Sequence, residues 1–114
     1  MSRSRSDERG VSLAAKRLAD LESVFGALAH EQRRHILLTL KFRGGEMTAG
    51  AIADRFHCAW PTTTRHLRIL KKAGLVTVEK RGRERVYRLD SARLLSVAGD
   101  WLHWFRTTDR GGAA

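Results

Sequence analysis

The sequence has one cysteine, one proline and no long apolar run. Each shortage removes a class of protein. Cys58 alone closes no disulfide within the chain and supplies no four-cysteine zinc site, which excludes disulfide-stapled scaffolds and zinc ribbons. A single proline beside a hydrophobic content of 42% argues against proline-rich linkers and wholesale disorder. No stretch approaches the roughly 18 consecutive apolar residues of a membrane span, so no membrane insertion is expected. The opening Met1, Ser2, Arg3, Ser4, Arg5 and Ser6 run into acids rather than the apolar core of an export signal. A cytoplasmic location follows as an expectation. Carboxylates are scarce too, with 12 acids against 22 Lys and Arg, a net charge of +10 and a pI of about 11.2. No nucleophile stands beside a base, no carboxylates are paired and no Gly-rich loop cradles a phosphate, so the chain is not read as an enzyme.

The surplus charge is concentrated. Between Trp60 and Asp90 stand nine basic residues and three acids, so most of the excess lies in about a quarter of the chain. A clustered excess is the electrostatic footprint of a polyanion partner, whereas an even one serves solubility; a solvated basic face is the plainer alternative.

A length of 114 residues makes one domain. Residues 1–10 read as a flexible basic arm, 11–107 as the folded domain and 108–114 as a disordered tail. From Val11, Ala14, Leu18, Leu21, Phe25 and Leu28 recur at helical spacing. A second helix runs from Glu31 to Phe42 and stops at Gly44 and Gly45. Thr48 can cap a short third helix that buries Ile52 and Phe56. After His57, Cys58 and Ala59, a fourth helix starts at Trp60 and Pro61 and ends near Ala73, with Gly74 behind it. At 100° per residue, Thr63, His66, Leu67, Leu70 and Ala73 fall on its inner side, while Pro61, Thr64, Arg65, Arg68 and Lys72 fall outside. The period then changes to two, around a basic hairpin tip at Gly82. Ser91 is the expected cap of a last helix from Ala92 to about Arg106.

The third and fourth helices have the proportions of a helix-turn-helix, whose second helix enters the major groove of double-stranded DNA. Thr62 and Thr64 can exchange hydrogen bonds with bases or phosphates. Arg65 and Arg68 can fork onto guanine, Lys72 can reach a phosphate, and Arg81, Arg83 and Arg85 on the hairpin would follow the backbone or minor groove. The fold class is mainly α with a β-hairpin, a winged helix-turn-helix of four helices, two strands and a fifth helix.

The segments Phe25 to Leu37, Pro61 to Val76 and Arg81 to Leu89 together resemble the ArsR-type (arsenic-repressor-like) regulators in their opening helix, recognition helix and wing. Met47 to Ala53 and the Trp-bearing last helix are most similar to the Sdp-type autorepressor subgroup. The likeness spans roughly Leu21 to Phe105. It implies a homodimeric DNA-binding repressor, bacterial and nucleoid-associated, that dimerises through its first and last helices. The contact residues would be Leu18, Leu21 and Phe25 on the first helix, with Leu94, Ala98, Trp101, Leu102 and Phe105 on the last. The apolar stripes of those two helices point the same way, since a small domain has little core in which to bury two terminal tryptophans; Trp101 and Trp104 closing the core is the alternative. Thr64 stands where such proteins usually carry serine, Thr63 where they carry an apolar residue, and Trp60 where they carry a polar one, so base preference is expected to differ.

No metal site and no cofactor are expected. Soft-metal sensors of this kind use a Cys-x-Cys that aligns with Thr48 and Gly50, and neither binds a soft ion. Asp100 and His103 share a face, but no second cluster follows them. Cys58 lacks a partner thiol and reads as a small hydrophobe rather than a redox sensor. The function read from all this is sequence-specific transcriptional repression at a pseudo-palindromic operator. The alternatives are an architectural module acting by charge, and a repressor sequestered by a partner protein; a small-molecule inducer is a further open partner.

Overall fold

A computed structural model describes residues 5–57 and 59–106, which places Cys58, residues 1–4 and the tail from 107 outside the described residues. Five helices and three strands follow in the order α1 (Arg5–Leu28), α2 (Glu31–Phe42), β1 (Glu46–Thr48), α3 (Ala49–Phe56), α4 (Trp60–Lys72), β2 (Val76–Arg81), β3 (Glu84–Leu89) and α5 (Ser91–His103). α1 begins at Arg5, inside the segment read as an arm and ahead of the apolar stripe from Val11.

The sheet is antiparallel with strand order β1-β3-β2, so the hairpin is extended by a strand that sequence reading missed. β1 has only three residues, too few to show an alternating pattern, and it is held by the register Glu46 to Arg88, Met47 to Tyr87 and Thr48 to Val86. In the hairpin Arg81 faces Glu84, leaving the two-residue turn Gly82-Arg83. Gly82 sits at φ 62°, and a positive φ confined to the first turn residue matches the right-handed twist of the strands at no steric cost.

The core lies where α1, α2, α3 and α4 meet the inner face of the sheet. Val24, Ile36, Leu40, Ile52, Leu67, Leu70, Leu75 and Val76 are its large, fully buried side chains. Replacing one of these leucines by alanine costs about 2–5 kcal/mol, because the cavity left behind collapses only in part.

Two caps define helix starts. The Thr48 hydroxyl accepts the Ala51 N–H at 3.1 Å, as expected. At α5 the cap is Asp90 rather than Ser91: its carboxylate accepts the Arg93 N–H at 2.9 Å, and the helix ends at His103, short of Arg106. Arg93 was not anticipated. Its Nε donates to Ala73 O at 3.2 Å and its Nη2 pairs with Asp20 at 3.2 Å, tying α5 to the end of α4 and to α1. It lies so close to Gly74, at φ 79°, that a β-carbon there would meet Nε at 2.9 Å. No described helix is long and apolar enough to cross a membrane.

Candidate nucleic-acid interface

The chain turns from α3 into α4 over three residues, and His57 makes the turn by adopting φ 52°, a left-handed conformation unusual outside glycine. Its N–H satisfies carbonyls of the last turn of α3. Pro61 then sits in the first turn of α4, where a missing N–H costs nothing. Ala59 offers no side-chain cap.

α4 divides cleanly. Thr63, His66, Leu67 and Leu70 are buried against the core, while Thr62, Thr64, Arg65, Arg68 and Lys72 are exposed on the other side. Arg65, Arg68 and Lys72 enter no ion pair among the described residues. The helix therefore presents two hydroxyls and three unspent cations along one face, the combination that reads base edges and holds phosphates. The inner face has one irregularity. Thr63 is only 2% exposed and its hydroxyl finds no partner among the described residues, a burial that costs about 1–3 kcal/mol.

The wing is different. Arg81, Arg83 and Arg85 are all exposed, but Arg81 is already occupied. Its guanidinium forks onto Glu46 at 2.7 and 3.3 Å and onto Glu79 at 3.1 Å. Arg88, the register partner of Glu46 on β3, also reaches it, at 2.8 Å. Hydrogen bonds from Arg81 and then Arg88 hold the Glu46 carboxyl below the usual carboxylate range, Arg81 does the same for Glu79, and these acids push Arg81 up. Arg83 and Arg85 have no ion pair among the described residues.

The residues expected to build a dimer contact do not share one fate. Leu18, Trp101, Leu102 and Phe105 are exposed, and Leu21 and Phe25 are half-buried. Ala98 is buried and Leu94 packs against the core, so these two support the helix from within rather than forming its outer surface. The reason is that the apolar stripe of α5 is wider than one face. Phe25 meets Trp101 edge to face at 5.3 Å, and Trp101 lies against Phe105 at 4.7 Å. Trp104 stands 76% exposed. No group of three or more metal-ligating side chains occurs among the described residues.

Residues 28–79 match a family described as a helix-turn-helix domain. Over 84 residues the chain is 37% identical to the transcriptional repressor SdpR of Bacillus subtilis, covering 74% of this chain and 87% of that protein. Among solved structures, an ArsR-like transcriptional regulator from Rhodococcus superposes with a TM-score of 0.69 at 35% identity, over 84% of this chain and 89% of that one. The solution structure of a homodimeric winged helix-turn-helix DNA-binding domain from Mycobacterium bovis superposes with a TM-score of 0.65 at 25% identity, over 96% and 94%. A buried-and-exposed recognition helix, a three-stranded wing and this likeness to a repressor across most of both chains lead to one assignment: the chain belongs to the ArsR family of winged helix-turn-helix transcriptional regulators.

Proposed function

We propose that this regulator is a homodimeric repressor that binds a pseudo-palindromic operator, with its two α4 helices in successive major grooves about 34 Å apart. The observation that carries the reading is the outer face of α4, where Thr62, Thr64, Arg65, Arg68 and Lys72 are exposed together above a fully packed inner face. Arg65 and Arg68 read bases, Lys72 holds a phosphate, and Arg83 and Arg85 follow the adjacent backbone. Repression and self-association are supported by the names of SdpR and of the Mycobacterium bovis homodimer.

The dimer contact proposed here uses the exposed ends of α1 and α5, Leu18 with Trp101, Leu102 and Phe105, backed by Leu21, Phe25, Leu94 and Ala98. Apolar side chains of this size left in water on two adjoining helices favour association by about 25 cal/mol for each Å² they bury. A Trp101→Asp, Trp104→Asp double variant is expected to sediment as a monomer. A dimer that survives both changes places the contact elsewhere.

Regulation does not run through a thiolate metal site in this reading. Gly50 has no side chain and the Thr48 hydroxyl is engaged as the α3 cap. Selection of bound fragments from a random duplex library, followed by footprinting, tests the whole proposal. A discrete protected palindrome is the expected result, and uniform coating of any duplex would replace the repressor with an architectural module acting by charge.

A further inference from the structure

Behind the DNA-facing side of α4 sits a polar cluster that the outer face does not use. Arg33 on α2 points its guanidinium into the corner between α1 and α2, with Nε donating to Ala27 O at 2.8 Å and Nη2 to Gly26 O at 3.3 Å. Its Nη1 lies 3.4 Å from Nδ1 of His66 on α4. A guanidinium only donates, so Nδ1 of His66 carries the lone pair and its proton sits on Nε2. His66 is 6% exposed and adjoins Arg65 in sequence. The ring of His30 lies against it at a centroid distance of 4.6 Å, and the Nδ1 of His30 itself accepts the Gln32 N–H at 3.2 Å as the cap of α2.

We propose that Arg33 and His66 form a latch holding α4 at its DNA-reading angle against the α1–α2 corner, and that a proton on His66 opens it. Both are positioning residues, acting on DNA through Arg65 and Arg68, and the inference rests on reading α4 as the recognition helix. Among the described residues, the charged and titratable groups acting on His66 are Arg33 from α2, His30 from the α1–α2 turn and Arg65 from its own helix, with none from α1, α3 or β2, which also pack near α4. Every one of these neighbours is basic. A proton on Nδ1 removes the acceptor that Arg33 needs and adds a cation beside others.

The sign follows from linkage. Burial first, then His30, Arg33 and Arg65, lower His66 below its ordinary 6.5 in the latched state. Released into water, His66 would titrate near its ordinary value of about 6.5. Above that pH both states are neutral and the latch is at full strength. As pH falls from there toward the lower latched value, the released state takes up the proton first, and release gains up to about tenfold for each pH unit. Charge alone predicts the reverse, since a basic protein gains affinity for a polyanion as its histidines ionise.

The test measures affinity for a selected operator and for a random duplex, at fixed ionic strength from pH 8 to pH 5, for the native chain and for His66→Gln, whose amide oxygen still accepts from Arg33 but does not titrate. Operator affinity of the native chain is expected to fall progressively below pH 6.5, by no more than about tenfold per pH unit, while random-duplex affinity holds or rises. His66→Gln should match it at pH 8 and lose the acid limb. Operator preference that persists unchanged into acid, or an acid limb retained by His66→Gln, overturns the latch. Equal binding of operator and random duplex at pH 8 overturns instead the reading of α4, and a second measurement then decides the latch. In the native chain, nitrogen NMR of the His66 ring should show a lower titration midpoint with duplex DNA bound than free. A midpoint that DNA leaves unmoved or raises overturns the latch, whatever the variant does.

Discussion

The recognition helix and the wing carry the same kind of side chain under opposite constraints. On α4, Arg65, Arg68 and Lys72 leave a rigid helix whose other face is locked into the core, and nothing on the protein competes for them among the described residues. On the sheet, Arg81 and Arg88 converge on Glu46, and Arg81 also holds Glu79. Cation count therefore misstates the DNA-binding surface. The useful quantity is the number of cations free to leave solvent for a phosphate or a base, and it is higher on the helix. Glu46 and Glu79 compete within the sheet for the guanidinium groups of Arg81 and Arg88.

The largest expected effect tests the helix side. Arg68→Ala removes a guanidinium capable of a bidentate contact to guanine, and it is expected to cut discrimination between operator and random duplex by about 1–3 kcal/mol. Stability should hardly change, because Arg68 is exposed and unpaired among the described residues. Competition binding at constant salt checks this. Equal losses on both duplexes would turn Arg68 into a phosphate contact and erase the difference in role between helix and wing.

The helix side of that contrast was visible in the sequence, whereas the pairing of Arg81 and Arg88 with Glu46 was not, and what was missed has a common cause. The inner and outer faces of α4 follow from a 100° rotation per residue, and Thr63, His66, Leu67 and Leu70 are buried where that rotation puts them. Thr48 as a cap, the stop at Gly44 and Gly45 and the hairpin at Gly82 each depend on local chemistry legible within a few residues. What escaped was long-range. β1 is too short to show a period, and Glu46 pairs with Arg81 and Arg88, 35 and 42 residues away. Arg33 reaching His66 across 33 positions, and Arg93 reaching back to Asp20 across 73, are likewise invisible to spacing. The cap at α5 failed for a narrower reason, since Asp90 and Ser91 are both good capping residues and adjacent; the chain uses the one whose oxygen reaches the Arg93 N–H.

The wing side of the comparison is sharpened by Glu46→Gln. Removing the charge that Arg81 and Arg88 share should free Arg88 to engage phosphate while Arg81 keeps its pair with Glu79, and each further phosphate neutralised steepens the dependence of log affinity on log salt by about 0.9. Affinity for all duplexes is expected to rise at low salt, with a slope steeper by about one. Acid should mimic the variant. Because Glu46 and Glu79 sit below the ordinary carboxylate value in the folded chain, their pairing is complete above about pH 4.5 and is lost as pH falls through the lowered values. A salt slope unaltered by Glu46→Gln would mean that Arg88 faces away from DNA altogether.

The smallest effect belongs to Arg83, and it isolates charge from geometry. Arg83 occupies the second position of the Gly82-Arg83 turn, and the left-handed conformation that the turn requires is met by Gly82 alone. Alanine at 83 therefore keeps the backbone and removes only a cation. Arg83→Ala should weaken operator and random duplex alike and flatten the salt slope by about one unit, with no change in the selected sequence. A loss confined to operators with a narrow, A·T-rich minor groove would show instead that Arg83 reads groove width, because a narrowed groove concentrates negative potential and favours an inserted arginine there. In that event sequence preference would reside in the wing as well as in α4, and the division between a reading helix and a holding wing would give way to two reading elements of unequal strength.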